Sequence, residues 1–264
     1  MASRFEKLFF RIFIILFLIY ILAPLIVVMI LSFNTSPEPF FPIKAFTLQW
    51  YKELFADSQI KESLRNSLIV ATAVTFLSTS VATFVSFALV RHSFFGQGIF
   101  YAIALAPIVT PGVIIGVSLL IFFYRLNFLP GLKTVVLGQS SFIISFAMLT
   151  IMARLRKFDL ALEEAAQDLG ASKPRAMLKI TLPFLKPAII SAAALSFLLS
   201  FDNFNTTLFL VGNKRTLPIQ IFSMLRFGIS PKINAISTIL VVFTIIFGFF
   251  SRRIGVGREQ SMQV

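Results

Sequence analysis

The stretch IFIILFLIYILAPLIVVMILSF, residues 12–33, holds no charged side chain. It exceeds the roughly 20 apolar residues that a helix needs to cross a bilayer. Arg4, Lys7 and Arg11 precede it, as basic residues precede the apolar core of a signal peptide. A signal peptide's apolar region, however, runs to only about 7–15 residues, and Pro24 is no small-residue cleavage site. The run is expected to be retained as a first membrane span. Further apolar runs of crossing length lie near Ser67–Val90, Ile99–Tyr124, Val135–Ala153, Phe184–Val211 and Ile233–Phe250, which predicts six spans. No segment alternates polar and apolar residues for long, so a barrel is not indicated. The expected fold class is all-α, a polytopic membrane protein with six transmembrane helices.

Composition agrees with this. Apolar residues make up 57% of the 264, charged residues 13%, and mean hydropathy is +0.90. A soluble chain of this size needs more polar surface to cover its core, so the surplus apolar area is assigned to lipid. Phenylalanine contributes 33 residues against one Trp and four Tyr. That skew suits hydrocarbon, because Phe has no polar tip to satisfy there. The net charge of +13 raises the question of nucleic acid. The Lys and Arg residues flank apolar runs instead of forming a stripe with interleaved aromatics, so they are read as juxtamembrane charge and no nucleic-acid partner is expected. With no Cys and a single His, His92, neither thiolate chemistry nor a His-cluster metal site is available.

Basic clusters at the run ends, Arg154/Arg156/Lys157 and Arg252/Arg253, favour both termini on the cytoplasmic side. The expected layout is a cytoplasmic tail over residues 1–11, a membrane domain over 12–251 and a second tail over 252–264. Two connections are too large to be simple turns. Asn34–Asn66 holds Pro37, Pro39 and Pro42, then an amphipathic Leu48–Leu54 stretch with Trp50 and Tyr51. Those aromatics suit an anchor at headgroup depth or a docking surface for an external partner. The other connection, residues 154–183, is the more informative.

From Asp159 it reads DLALEEAAQDLGASKPRAMLKITLP. Ala161, Leu162, Ala165, Ala166 and Leu169 recur at helical spacing, with Glu163, Glu164 and Asp168 on other faces. Gly170 is placed to end that helix in the left-handed conformation. Ser172 is placed to cap a second, short helix, with Pro174 in its first turn. Pro183 and Pro187 are expected to bracket the entry into the fifth span. The prediction is a helix–turn–short helix held at the cytoplasmic face. A merely solvated loop of mixed charge is the alternative, and the agreement of cap and proline positions argues against it.

Glu164-Ala165-Ala166, three residues, Gly170, nine residues, then Ile180-x-Leu182-Pro183 resembles the EAA signature of ATP-binding-cassette importer permeases at every stated position. The resemblance implies a type I importer transmembrane fold. It also implies that Ala171 to Lys179, including Ser172, Lys173, Pro174 and Arg175, form the coupling helix that seats on an ATPase subunit. The chain is further similar to the second permease subunit of spermidine/putrescine importers. The similarity rests on Ser32-Phe33-Asn34, Leu48–Tyr51, and Phe222-Ser223-Met224-Leu225-Arg226-Phe227-Gly228-Ile229-Ser230-Pro231 followed by Asn234-Ala235, and covers nearly the whole chain. It implies a second homologous permease, two copies of a cytoplasmic ATPase, an external solute-binding protein and a bacterial inner-membrane location. No GxxxxGK[ST] phosphate loop occurs, so ATP is expected on the separate ATPase, and no cofactor or enzyme activity is expected here.

Asp202 is the acidic residue inside the predicted spans, within a polar run of Ser200, Asp202, Asn203, Asn205, Thr206 and Thr207. An ionisable side chain at membrane depth is costly unless it faces water or a partner. On a continuous helix Asn203, Thr206 and Thr207 would share one face. Asp202, Asn203, Asn205 and Thr206 are therefore candidates for a translocation path offering carboxylate and amide oxygens to a cationic or amine-bearing solute: a polyamine, an opine or an amino-acid derivative. Interhelical hydrogen bonding is the competing role for the Asn and Thr residues. Pro107, Pro111, Gly112 and Gly116 interrupt the third run, as a cavity-lining helix or as a packing kink. The rival functions are a secondary carrier, for which no internal repeat is evident, and a channel subunit, which needs no cytoplasmic lever.

Overall fold

A backbone in hydrocarbon can satisfy its N–H and C=O groups only within itself, and the chain meets that demand with helices. The computed structural model describes residues 4–36, 43, 45–227 and 231–256. In chain order the elements are α1 (Arg4–Leu31), α2 (Gln49–Ala56), α3 (Ser58–Arg91), α4 (Gln97–Val109), α5 (Gly112–Arg125), α6 (Leu132–Leu155), α7 (Ala161–Asp168), α8 (Lys173–Ala176), a π-helical segment (Met177–Thr181), α9 (Leu182–Phe201), α10 (Thr207–Leu210), α11 (Leu217–Phe227) and α12 (Pro231–Val256). Among the described residues the only β pairing is an isolated bridge between Asn34 and Phe46.

The chain divides into two compact units, Met1–Lys61 with Ile221–Phe249, and Glu62–Gln220 with Phe250–Val264. In the first, the exit from α1 is sewn to α2. The Trp50 indole N–H donates to the Asn34 carbonyl at 2.7 Å, Tyr51 and Ser32 share a hydroxyl–hydroxyl bond of 2.6 Å, and the Phe33 and Tyr51 rings lie 5.3 Å apart. Lys232, in the first turn of α12, reaches Glu53 at 3.4 Å and Asp57 at 4.0 Å. The polar tips of Trp50 and Tyr51 are thus committed inside the chain instead of being offered to headgroups.

The second unit is built around α6, the most buried of the membrane-length helices. One end of its core joins Val70 and Val74 of α3, Phe123 of α5, Val135 and Ile143 of α6, and Leu210 of α10. The next layer joins Ala82 and Leu89 of α3, Ala147, Met148, Ile151 and Met152 of α6, and Ala192 of α9. The alanines let the helix backbones approach closely, which matters where no hydrophobic drive brings helices together.

Two expectations about the spans change, and the count of six is not confirmed. The third run is two helices of 13 and 14 residues meeting at 108°. Each is about 20 Å long, short of the ~30 Å hydrocarbon core, so a simple kink is excluded. Pro111 supplies the break, since it has no N–H to continue α4 and fixes φ at −55° at the start of α5. The fifth run starts earlier and ends earlier than expected: one helix runs from Lys173 to Phe201, and Asp202–Thr206 leave it. Finally, among the described residues four helices are long and apolar enough to cross a membrane, five if the bent pair is one span. The apolar part of α12 is described over Pro231–Ile246. The expected count of six is not reached on these residues.

Candidate functional site

The elbow between α6 and α9 is set by local chemistry. Asp159 Oδ1 accepts the Ala161 N–H at 3.0 Å and starts α7. Gly170 stops it, with φ of +87°. The Gly170 N–H bonds to the Gln167 carbonyl at 2.8 Å and the Ala171 N–H to the Ala166 carbonyl at 3.0 Å. This pair of bonds is the glycine-terminated helix stop that the sequence predicts. Ser172 differs from expectation: its backbone is extended, but its side chain makes no capping bond. Pro174 does lie in the first turn of α8.

The short helix is also not free-standing. It passes through the π-helical turn Met177–Thr181 directly into α9. Pro183 cannot donate to the turn before it, and its ring crowds the carbonyl four residues back. Widening the preceding turn accommodates both defects without ending the helix. Lys173, Pro174, Arg175, Leu182 and Pro183 are exposed, Ala171 and Ile180 are half-buried, and Ala176 and Thr181 are buried.

The helical periodicity of α7 predicts an apolar face, and the structure turns most of that face outward. Leu162 is 52% exposed and Leu169 is 90% exposed, and Glu164 and Ala165 are exposed with them, while Ala166 is half-buried. What α7 buries is Glu163. Glu163 Oε1 lies 3.0 Å from Arg91 Nη2, the last residue of α3, and accepts the Thr181 hydroxyl of the π segment. The Arg91 guanidinium covers the Phe158 ring at 5.1 Å, and Phe158 packs edge-on against Phe184 at 5.2 Å. Arg154 lies over Phe184 at 4.6 Å and donates to its carbonyl at 2.7 Å. Arg91, Glu163 and Thr181 escaped the sequence, where a Glu beside another Glu and an Arg at a run's end look like solvated charge.

At the other candidate site, the polar residues after α9 form a break, so the single-face geometry expected of a continuous helix does not apply. Asp202 is the C-cap of α9 and is exposed, as is Asn205. Asn203 Oδ1 accepts from the Thr207 N–H at 3.2 Å and the Thr207 hydroxyl at 3.0 Å. Thr207 in turn takes the Gln139 amide at 2.8 Å, and Gln139 Oε1 accepts the Ser200 hydroxyl. Thr206 is fully buried, and its hydroxyl donates to the Gly112 carbonyl at 3.2 Å.

The Thr206 bond lands on the break between α4 and α5. A Cβ on Gly112 would stand 3.2 Å from Asn205 Cβ, and one on Gly116 would stand 3.2 Å from the Thr206 backbone. Two discontinuous helices therefore touch at their breaks, an arrangement that permits non-helical backbone only where protein or water satisfies it. Of the four candidates, Asn203 and Thr206 are used in holding the break together. Asp202 and Asn205 face outward.

This architecture is that of ATP-binding-cassette importer transmembrane subunits. A bacterial ABC transporter involved in the import of the acidic polysaccharide alginate superimposes with a TM-score of 0.72 at 15% identity, over 96% of this chain and 98% of that one. The MetNI methionine ABC transporter gives a TM-score of 0.59 at 16% identity, over 80% of this chain and 98% of that one. Sequence relatives are closer. The spermidine/putrescine transport system permease protein PotC of Escherichia coli K12 is 32% identical over 238 residues, 89% of each chain. The putrescine transport system permease protein PotI of the same organism is 34% identical over 240 residues, 88% of this chain and 85% of that one. No protein-family model matches. The chain belongs to the family of spermidine/putrescine transport system permeases, permease subunits of ATP-binding-cassette importers.

Proposed function

We propose that the chain forms half of the translocation path for a small amine-bearing solute and takes its driving force at the elbow from a separate ATPase, which binds the nucleotide. The carrying observation is the inverted α7, which buries a carboxylate and turns Leu162 and Leu169 outward beside exposed Met177 and Leu178. A helix in water gains nothing from that arrangement, and exposed apolar patches with polar surroundings suit a protein partner. The rest of the assembly is a second homologous permease, two ATPase copies and an external solute-binding protein, with the elbow and both termini on the cytoplasmic side. An alginate transporter of this fold has been crystallised with its periplasmic protein, which supports the external partner. In this reading residues 1–11 and 252–264 are cytoplasmic tails on a membrane domain.

For the solute, the exposed Asp202 carboxylate and the neighbouring Asn205 amide favour a cation bearing N–H donors. The PotC and PotI relatives are named for spermidine and putrescine. An opine or amino-acid derivative with a single ammonium group fits one carboxylate as well. Purification of the tagged chain from native membranes tests the assembly: an ATP-binding-cassette ATPase and a second permease are expected to come with it. Recovery of the chain without any ATPase overturns the proposal.

A further inference from the structure

Glu163 holds three elements on one oxygen. Arg91 comes from the end of α3, the carboxylate from α7, and the Thr181 hydroxyl from the π turn that leads into α9. The Arg91 and Glu163 side chains are only 14% and 11% exposed, so salt screens the pair little. Separating them would leave a buried charge without its partner, which is strongly unfavourable. The Gln167 amide, one turn further along α7, bonds to the Glu163 carbonyl at 3.1 Å and stiffens the same turn. Displacing α7 must therefore either break this cluster or carry the end of α3 with it.

The opposite end of α3 is tied as firmly. The Asn66 amide donates to the Arg215 carbonyl at 2.9 Å, and the Leu217 N–H donates to Ser67 Oγ at 2.8 Å. Arg215 itself reaches Gln220 at 2.9 Å. Between Ser67 and Arg91 the helix is unbroken and about 36 Å long at 1.5 Å per residue. Such a rod links the elbow to the connection between α10 and α11 across the thickness of a bilayer. Its hydroxyls do not interrupt it: Thr75, Thr79, Thr83 and Ser86 bond back to carbonyls of their own helix.

We propose that Glu163 is the joint through which movement of the elbow enters α3, and that α3 transmits it as a strut to the Lys214–Leu217 segment at the far end. Glu163, Arg91 and Thr181 are positioning residues in this scheme, acting on transport through the helix they hold. The inference rests on the elbow being the site of ATPase contact, as proposed above.

The chain contains no Cys, so spin labels can be attached at two introduced cysteines without background. With labels at Asp168 on the elbow and Leu64 near the start of α3, the assembled complex is examined by pulsed electron resonance with and without ATP–vanadate. The wild-type background is expected to keep one narrow distance in both states, because elbow and strut move together. Glu163→Gln and Arg91→Gln, which remove one charge of the pair without placing two like charges together, are expected to keep that distance without nucleotide and to broaden and shift it by several Å with nucleotide. The charge exchange Arg91→Glu/Glu163→Arg is expected to restore the narrow distance. Unchanged distances in both single variants overturn the joint. Broadening already present without nucleotide marks a packing role and also overturns it. A wild-type complex that contains no ATPase instead overturns the functional reading, and the joint with it.

Discussion

Substituting Gly170 separates backbone strain from surface charge at the elbow. Its φ of +87° lies in the left-handed region, where a residue with a Cβ pays about 1–2 kcal/mol. A Cβ at this position meets nothing within 4 Å, so strain is the whole intramolecular cost of Gly170→Ala. At 1.4 kcal/mol per factor of ten, that strain reduces the population of the native turn by about 5- to 30-fold relative to alternatives. Global stability of about 5–15 kcal/mol survives such a loss, so the subunit remains inserted. Asn and Asp enter the left-handed region more easily and have the same shape, so Gly170→Asn and Gly170→Asp differ only in charge beside Asp168. Transport measured in membrane vesicles with putrescine as probe is expected to fall least for Asn, by at most about 5- to 30-fold for Ala, and to be abolished for Asp. Equal transport by the Asn and Asp variants refutes a charge-sensitive contact at this turn, and wild-type transport by all three refutes the lever.

Other perturbations address the polar break and the packing beneath it. Asp202→Asn is expected to lower uptake of a cationic probe while the protein accumulates normally; unchanged uptake kinetics assign Asp202 to capping α9 alone. Gly212→Ala combines a φ of +61° with a Cβ placed 2.6 Å from the Pro130 carbonyl oxygen. Strain and overpacking together cost about 2–5 kcal/mol, and a lower melting temperature in detergent is the measurement. Gln139→Leu removes the amide between Ser200 and Thr207. Membrane hydrogen bonds average about 0.6 kcal/mol; the Thr207 hydroxyl keeps its bond to Asn203, and the Ser200 hydroxyl can turn to a backbone carbonyl of α9. A loss of about 1 kcal/mol is therefore expected, and a loss several times larger refutes that relief.

The sequence makes the helices legible where burial has one dominant cause. Runs such as Ile12–Phe33 can only be helical in lipid, and α1, α3 and α6 lie where hydropathy places them. Gly170 and Pro174 are equally legible, because each answers a local steric demand that no tertiary contact overrides. The 108° break at Pro111 is less so, since a proline inside an apolar run marks a defect without giving its angle. The polar break after Phe201 is hidden for a different reason. Asp202 through Thr206 carry no Gly or Pro, and the break is held by bonds joining the flanking Ser200 and Thr207 to Gln139, and Thr206 to Gly112, all distant in sequence. Glu163 leaves no signal in the sequence. Periodicity assigns a face by hydrophobicity, and α7 reverses that assignment, because Arg91 and Thr181 wait inside while its leucines are left for a partner.

That reversal has a cost during biogenesis. A copy released without its partner carries Leu162 and Leu169 into water, where exposed hydrocarbon invites aggregation and proteolysis. Under the proposed docking of an ATPase on this face, the supply of that partner then bears on how many copies endure in the cell.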